Sequence, residues 1–367
     1  MKAKLAYLCS STSWGGLEMN HLRNASWMLE RGHSVAIICI KGSPVDVNAA
    51  SFNLPIIYIA KHKKYYDFKQ GKALFRLLKE HSFTHLLIRS TLDMSITAYV
   101  KRKFKDKLHT SYFMEMQLGV KKTNLMHTLR FKYIDLWSCP LKWLKEQVIE
   151  LTHYKNKLIV TPSGMDLSQF NNLPSAEASR ALLDLPTNTF LFGLIGRFDF
   201  QKGQLLLLEA MKLTNRSDYG VVLLGDPTVD EADQIMEKIN TAVYDEGLKD
   251  RVFLRSFRKD AETFYNAVDW LVMATKAETF GMVTIESLAC GTPVLGSNAG
   301  GTPEILENKR GGELFTSLDA RDLALRIDSI LDNQIEFDPN ELKKMAVQYD
   351  HHAVCASVEQ ALGLTSK

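Results

Sequence analysis

The stretch TKAETFGMVTIESLACGTPVLGSNAGGTPE, residues 275–304, carries the pattern that organises this chain. A loop with the carboxylate of Glu278 leads into an apolar helical run at 282–290, and this run contains a second carboxylate, Glu286. A Gly-Thr-Pro turn, a short strand at 293–295 and a glycine-rich turn follow. The first amides of a helix lack intrahelical acceptors. A helix start beside carboxylates therefore suits a ligand that carries both phosphate and hydroxyl groups.

Strand-like and helix-like runs alternate on both sides of this stretch, which predicts a series of βαβ units. The predicted strands are 4–9, 34–40, 56–59, 84–88, 108–113, 136–138, 158–161, 190–195, 221–224, 252–254, 270–273 and 294–295. The predicted helices include 16–30, 71–80, 141–151, 204–213, 231–245 and 264–268. Each half is then a parallel sheet with helices on both faces, so the fold class is α/β with two Rossmann-like, doubly wound domains.

A chain of 367 residues exceeds one typical hydrophobic core, which also favours two domains. We place the first domain at 1–170 and the second at 171–346, with the polar stretch 170–186 as the linker. The tail from 339 to 362 is predicted to be helical, and a helix at about 347–367 is a candidate to pack back on the first domain. Doubly wound sheets bind ligands beyond the carboxyl ends of their strands. The two domains are therefore expected to face each other across a cleft.

The charge of the chain is distributed unevenly. Residues 1–170 contain 26 Lys and Arg against 12 Asp and Glu, whereas residues 171–367 contain 19 against 30. A basic half favours an anionic acceptor or an anionic membrane surface as partner, and a solvated face that aids solubility is the alternative. No nucleic-acid partner is predicted.

The five cysteines are scattered without metal-ligand spacing, which favours a reducing compartment and disfavours a zinc site. No apolar run reaches the roughly 18–20 residues that a membrane span needs. The N-terminus leads directly into a strand-like run, without the pattern of a secretory signal. We expect a cytoplasmic protein, with peripheral attachment to the cytoplasmic face of a membrane as a candidate.

The predicted strand 190–195 ends in Gly196 and Arg197, and Lys202 follows before the next helix. A close backbone approach at the glycine, with two cations at the next helix start, is typical of a diphosphate site. Arg and Lys could neutralise the charge that builds on a leaving diphosphate. The alternative is an ordinary glycine turn with two solvated cations.

Taken in order, these motifs show a resemblance. Gly-Arg-x₄-Lys-Gly at 196–203, Glu-x₇-Glu at 278–286 and Gly-Gly-x-x-Glu at 300–304 resemble the retaining, nucleotide-sugar-dependent glycosyltransferases of family 4, which have the GT-B fold. Three further segments are similar to motifs of that family: 14–18 (Trp-Gly-Gly-Leu-Glu), 160–166 (Val-Thr-Pro-Ser-Gly-Met-Asp) and 223–226 (Leu-Leu-Gly-Asp). Each motif is weak alone, but their common order covers almost the whole chain.

The resemblance implies a role for each matching residue. Glu278, Arg197 and Lys202 would form the catalytic set, with the two cations on the donor diphosphate and Glu278 on donor-sugar hydroxyls. Glu286 would hold the ribose hydroxyls. The remaining donor-binding positions would be Gly15, Gly16, Gly196, Phe280, Gly281, Met282 and Val283. Glu18 is interpreted as an acid that complements the helix dipole.

The family implies retention of anomeric configuration. The chain contains no Asp-x-Asp, so we expect neither a diphosphate-bound metal nor another cofactor. One departure concerns the histidine that the family usually has just after the strand at 108–113. The segment 114–117 (Met-Glu-Met-Gln) stands there instead, and His109 lies too early. Glu115 is the candidate substitute for sugar contact, with a solvated strand-end acid as the alternative.

The predicted activity is sugar transfer from a nucleoside-diphosphate sugar to a saccharide or lipid-linked acceptor, in the assembly of cell-surface polysaccharide or lipopolysaccharide. Another GT-B enzyme, such as a nucleotide-sugar epimerase or a phosphorylase, is one alternative. A non-catalytic GT-B partner subunit is another, because the expected histidine is missing. A nicotinamide-dependent oxidoreductase is disfavoured because the chain has no Gly-x-Gly.

Overall fold

The computed structural model describes residues 3–228, 232–245 and 247–364. It divides into two compact units: unit 1 contains Met1–Met165 and Tyr349–Lys367, and unit 2 contains Asp166–Gln348. The predicted boundaries at 170/171 and 346/347 therefore differ from the observed ones by five residues and two residues.

Unit 1 is built on a seven-stranded parallel sheet. Its strands are β1 (Lys4–Cys9), β2 (Ser34–Cys39), β3 (Ile56–Tyr58), β4 (His85–Ile88), β5 (His109–Phe113), β6 (Leu136–Cys139) and β7 (Lys157–Val160). Their order is β3-β2-β1-β4-β5-β6-β7, with Lys4 opposite Ser34 and Leu5 opposite His85. The chain extends outward in opposite directions from β1 and β4, which makes this pair of strands the switch point of the sheet.

The helices of unit 1 cover both faces of this sheet, and buried apolar clusters lie on each side. They are α1 (Gly16–Glu30), α2 (Pro44–Ala49), α3 (Phe68–Glu80), α4 (Met94–Phe104), α5 (Leu125–Lys132) and α6 (Lys142–Leu151). The strand cores alternate between the two clusters, with Leu5 and Tyr7 in one and Ala6 and Leu8 in the other. This alternation is the period-two burial that a sheet with two covered faces requires.

Unit 2 is built on a six-stranded parallel sheet. Its strands are β8 (Phe190–Ile195), β9 (Tyr219–Leu224), β10 (Val252–Arg255), β11 (Trp270–Met273), β12 (Val294–Ser297) and β13 (Gly312–Phe315), in the order β10-β9-β8-β11-β12-β13. Strand β13 was not predicted, because its four residues Gly-Glu-Leu-Phe lack a strand pattern. Pairing with β12 fixes it instead, and Gly312 lies opposite Val294. The α/β class with two Rossmann-like sheets is confirmed.

The helices of unit 2 are α7 (Ala176–Leu182), α8 (Gln204–Leu213), α9 (Ala232–Asn240), α10 (Ala261–Ala267), α11 (Met282–Cys290), α12 (Thr302–Ile305), α13 (Ala320–Asn333) and α14 (Pro339–Ala346), and α15 (His351–Leu362) follows in unit 1. Short 3₁₀ segments lie at Ala50–Phe52, Lys105–Lys107, Leu167–Phe170 and Val347–Tyr349, and Thr241–Asp245 is π-helical. The helix predicted at 231–245 corresponds to α9 and the π-helical segment, and its first position lies outside the described residues.

The predicted linker at 170–186 is wrong, because this stretch is packed into unit 2. Ser175 caps the N-terminus of α7, and Arg180 in the same helix is buried. This guanidinium donates to the carbonyl oxygens of Ala267 at 2.9 Å and Thr187 at 2.8 Å, and pairs with Asp269 at 2.8 Å. Most of the stretch is exposed, and its buried residues, such as Arg180, attach it to unit 2.

The predicted tail helix is two helices in different units. Asp338 caps α14, which packs on α11 within unit 2, and Asp350 caps α15, which packs on α1 within unit 1. Glu359 of α15 pairs with Arg31, which follows α1, at 2.6 Å. The candidate packing of a C-terminal helix on the first unit is therefore observed.

No helix among the residues that the structure describes is long and apolar enough to cross a membrane. All five cysteines are buried and free.

Candidate active site

The candidate site lies at the switch point of the unit 2 sheet. The chain extends outward in opposite directions from β8 and β11, and a crevice forms beyond their carboxyl ends. The loop after β8 packs tightly against the end of β11. A Cβ atom at Gly203 would lie 2.4 Å from the carbonyl oxygen of Ala274, and the φ of Gly203 is +85°. Only glycine fits both the space and the backbone angle, so this glycine fixes the approach of the loop.

Two of the three predicted catalytic residues meet in this crevice. The ammonium nitrogen of Lys202 lies 3.2 Å from Oε2 of Glu278, with 30% and 22% of the respective side chains exposed. Asp199 supports the turn, because its Oδ1 accepts the backbone N–H of Lys202 at 3.0 Å. The pair therefore places one cation and one carboxylate in a partly open crevice.

Arg197, the third predicted catalytic residue, is not part of this contact. Its side chain is 71% exposed, and its guanidinium lies 3.9 Å from the carboxylate of Asp199. It directly follows Gly196, whose φ is +148°, at the end of β8. The guanidinium is thus placed at the edge of the crevice and remains largely hydrated.

The backbone of Glu278 is held by the glycine-rich turn after β12. Glu278 and Gly300 form a parallel bridge, and the N–H of Gly301 donates to the Glu278 carbonyl at 2.8 Å. Gly300 has a φ of +64°, and a Cβ atom there would lie 2.3 Å from the same carbonyl. Backbone contacts therefore hold the Glu-x₇-Glu segment and the Gly-Gly-x-x-Glu segment against each other.

The N-terminus of α11 opens into the same region. Gly281 is its N-cap in the left-handed conformation, with a φ of +79°, and it provides no side-chain cap. Phe280 is buried, and Met282 and Val283 of the first turn are half-buried. A glycine-capped start leaves first-turn amides for a ligand, and the helix dipole favours an anion there.

Glu286 lies one turn further along α11 and accepts a hydrogen bond from the hydroxyl of Tyr265 at 2.6 Å. Tyr265 is completely buried, and burial together with the Glu286 carboxylate holds the pKa of its phenol well above the usual value. The phenol therefore remains a donor at every physiological pH. The sequence analysis missed Tyr265, because no motif spacing connects α10 with α11.

Gly15 and Gly16 lie in unit 1, at the start of α1. Gly15 is extended, with a φ of −170°, and a Cβ atom at Gly16 would meet nothing within 4 Å. The described contacts of unit 1 do not require glycine at Gly16. A close approach of this loop to the donor phosphate stays a prediction for both glycines.

Glu115 follows β5 of unit 1 and is already engaged within that unit. Its carboxylate pairs with Arg89 and accepts the hydroxyl of Ser163 at 3.0 Å, and only 7% of its side chain is exposed. Burial lowers the pKa of Arg89 to about 10, so both side chains are held in a partly dehydrated cluster. Glu115 is therefore not a solvated acid at the end of a strand, which was the alternative interpretation. Its contact with the donor sugar stays a prediction.

One group of possible metal ligands lies elsewhere, in unit 1. Donor atoms of Asp350, His351 and His352 lie within 4.8 Å of one another. Asp350 caps α15, and the ring of His351 packs against Trp27 with 4.9 Å between centroids. Helix capping and ring packing account for these positions without an ion.

A sequence profile for glycosyl transferases group 1 matches residues 175–349. The matched segment contains β8, the Lys202–Glu278 pair and the whole of α11. Residues 175–349 belong to the group 1 glycosyltransferases. The match therefore confirms the predicted glycosyltransferase family for residues 175–349.

Two relatives of this chain carry the same name. The D-inositol 3-phosphate glycosyltransferase of Mycolicibacterium smegmatis is 32% identical over 184 residues, covering 49% of this chain and 41% of the relative. That of Segniliparus rotundus is 32% identical over 163 residues, covering 44% of this chain and 36% of the relative. The match thus spans about two fifths of the length of these relatives.

The similarity in three dimensions extends over the whole chain. The Anabaena protein HepE, crystallised in complex with UDP, has a TM-score of 0.84 at 18% identity, with 99% of this chain and 100% of HepE covered. A likeness at this identity establishes the fold alone, and it confirms the predicted GT-B class for this chain.

Proposed function

We propose that this chain is a glycosyltransferase that moves a sugar from a nucleoside-diphosphate sugar to a saccharide or lipid-linked acceptor, with retention of configuration and without a metal ion. The observation that carries the proposal is the Lys202–Glu278 contact beside the glycine-capped start of α11. A cation, a carboxylate and free amides are together the set that a phosphorylated sugar requires.

The proposed donor lies across this set. The diphosphate accepts from first-turn amides of α11 and from Lys202, while Arg197 approaches from the exposed edge. Glu286, oriented by Tyr265, accepts from ribose hydroxyls. Glu278 accepts from sugar hydroxyls and balances positive charge as the glycosidic bond weakens.

The reaction itself exchanges two bonds at the anomeric carbon. The bond from this carbon to the diphosphate oxygen breaks, and a bond to the acceptor hydroxyl oxygen forms on the same face of the sugar. The acceptor proton passes to the leaving phosphate, whose negative charge Lys202 and the α11 dipole stabilise. Glu278 acts as a positioning and electrostatic group in this scheme.

The acceptor belongs to the basic half of the chain in this proposal. Unit 1 contains all 26 Lys and Arg of residues 1–170, which would concentrate an anionic or lipid-linked saccharide. A role in cell-surface polysaccharide or lipopolysaccharide assembly follows from an acceptor of this type. The proposal places the protein in the cytoplasm, with peripheral attachment to the membrane.

A thermal-shift and calorimetry panel with UDP, GDP and ADP tests the donor site, because a ligand that binds the native state raises its stability. UDP is the first candidate, since HepE was crystallised with it. Each UDP-, GDP- or ADP-sugar is then incubated alone, and conversion without acceptor would indicate an epimerase instead. Absence of any nucleotide binding would overturn the proposal in favour of a non-catalytic partner.

A further inference from the structure

Unit 1 contains an open groove of about 250 Å³ between the start of α3, the outer face of α4 and α5. Five aromatic residues line it: Tyr65, Tyr66, Phe68, Tyr99 and Tyr133. The groove is far more aromatic than the chain as a whole, in which 10% of residues are aromatic. Tyrosine combines an apolar ring with a polar tip and is favoured where one end of a side chain is wet.

The aromatic rim is exposed rather than folded into the core. Tyr66 is 72% exposed and Phe68 is 61% exposed, and Leu129 of α5, which also lines the groove, is 48% exposed. Large apolar side chains gathered in one place mark an interaction surface, whereas single ones are ordinary.

The same segment of unit 1 is strongly basic. Residues 61–133 contain 17 Lys and Arg against 5 Asp and Glu. Arg102 lines the groove, is exposed, and has no ion pair among the residues that the structure describes. The ammonium of Lys64 lies 5.7 Å from the ring centre of Tyr65.

Further cations converge on α5. The guanidinium of Arg130 lies 4.7 Å from the ring centre of Tyr65 and donates to the carbonyl of Thr91 at 2.6 Å. Burial and the neighbouring charges of Arg130, Lys122 and Lys64 hold the pKa of His127 below its usual value. These three cations therefore lie near the ring of His127.

Among its lining residues, the groove has less negative than positive charge. Asp67 is the acid that lines it, and its carboxylate accepts the backbone N–H groups of Gln70 at 3.0 Å and Lys63 at 3.1 Å. Because Asp67 caps α3 in this way, it is engaged by the helix start rather than by the neighbouring cations.

We infer that this groove is a docking site for the anionic lipids of a bilayer, with Tyr66 and Phe68 entering the interface and Arg102 and Lys64 contacting lipid phosphates. Aromatic side chains with an apolar body and cations around them match the headgroup boundary, where rings are buried and charges are hydrated. The inference deepens the acceptor side of the proposed function, because it would bring the chain to a lipid-linked acceptor. Vesicle binding itself requires no donor.

The test is flotation of the full chain with vesicles of phosphatidylcholine alone or with 30% (about one lipid in three) phosphatidylglycerol, at low and high salt. We expect binding to the anionic vesicles only, and weaker binding at high salt. Phe68→Ser and Tyr66→Ser should each reduce the partition coefficient at least about tenfold, and Arg102→Gln about fivefold. The control variants are Ile149→Ser, an exposed apolar position on α6, and Lys155→Gln, an exposed cation, and both should bind as the unchanged chain does.

Two results would overturn the inference: no binding to anionic vesicles, and binding that Phe68→Ser leaves unchanged. If the chain does not bind vesicles and Phe68→Ser loses self-association or a protein contact, the groove is a protein interface instead. Circular dichroism of each variant checks that it is folded. The donor-site variant Lys202→Ala should keep vesicle binding while losing sugar transfer, so a failure of the docking site and a failure of the proposed function give different results.

Discussion

The ammonium nitrogen of Lys202 lies 3.2 Å from Oε2 of Glu278, although 76 positions of sequence separate the two residues. In the absence of a ligand, the opposite charges of the two side chains compensate each other. A phosphorylated sugar would compete for both partners, with its phosphate drawing on the lysine and its hydroxyls on the glutamate. The pair therefore links the charge of the proposed donor with the position of its sugar.

Replacement of Lys202 by Ala should lower kcat/KM for sugar transfer by about 10²-fold or more, because a cation at a leaving diphosphate is lost. Transfer assays with the donor found by thermal shift measure this effect. Lys249→Ala, an exposed cation elsewhere in unit 2, is the matched control and should leave transfer unchanged. Equal activity of Lys202→Ala and the unchanged chain would contradict the proposed role.

Tyr265→Phe should raise KM for the donor about tenfold with little change in kcat, because Glu286 loses a hydrogen bond to its charged group. Calorimetry with the nucleoside diphosphate measures the binding effect directly. Tyr219→Phe removes the hydroxyl of another buried tyrosine of unit 2, bound to Thr214 at 3.0 Å, and should leave donor affinity unchanged. If both variants weaken binding equally, the effect is general to the unit.

Gly300→Ala should destabilise unit 2 by about 3 kcal/mol, since a Cβ atom there meets the Glu278 carbonyl and the backbone is left-handed. Gly247→Ala is the matched control. Its φ of +80° is also unfavourable for alanine, but a Cβ atom at this position would meet nothing within 4 Å. The substitution should therefore lower the free energy of unfolding by only about 1 kcal/mol. Urea unfolding followed by tryptophan fluorescence measures the difference. Similar losses in both variants would mean that backbone angle, and not the contact with Glu278, dominates.

Acid should loosen α15 from α1. The hydrogen bond from Arg31 lowers the pKa of Glu359 to about 2 in the folded chain, against an ordinary value of 4.5. Because the folded pKa is the lower one, the stabilisation is fully present above about pH 5 and is lost as the pH falls toward 2. It amounts to roughly 1–3 kcal/mol.

Hydrogen exchange of α15 at pH 5 and pH 3 measures this loss. Glu359→Gln should already exchange faster at pH 5 and change less between the two values. Glu80→Gln, an exposed acid of α3, is the control and should follow the unchanged chain. Identical pH dependence in Glu359→Gln and the unchanged chain would contradict the assignment.

Glu115→Gln should destabilise unit 1, because it leaves the buried Arg89 without its counter-charge. Ser163→Ala removes one hydrogen bond from a neutral hydroxyl to the same carboxylate and should cost less, about 2 kcal/mol. Thermal unfolding compares the stabilities of the two variants. Sugar transfer, assayed at a temperature at which both variants are folded, tests the proposed sugar contact. Unchanged turnover in folded Glu115→Gln would remove that contact from the mechanism.

Sequence alone was sufficient for β1, β8, α1 and α11, whose predicted bounds agree with the structure. Buried parallel strands and amphipathic helices differ in their hydrophobic period, and glycine or a polar cap marks their ends. The short strand β13 and the helix α7 have no such local pattern, because pairing with β12 and the contacts of Arg180 stabilise them. Local sequence also could not divide the tail, since both of its halves are helical.

The candidate site shows the same division. The glycines, the carboxylates and Lys202 were recognisable as a motif set, because their types and spacing serve phosphate and hydroxyl recognition whatever their distance in space. Only the tertiary structure brings Lys202 to Glu278, places Tyr265 under Glu286 and leaves Arg197 exposed. It likewise binds Glu115 to Arg89 and Ser163. These contacts join residues from different strands and helices, and sheet order, which spacing along the chain does not encode, decides which loop ends meet.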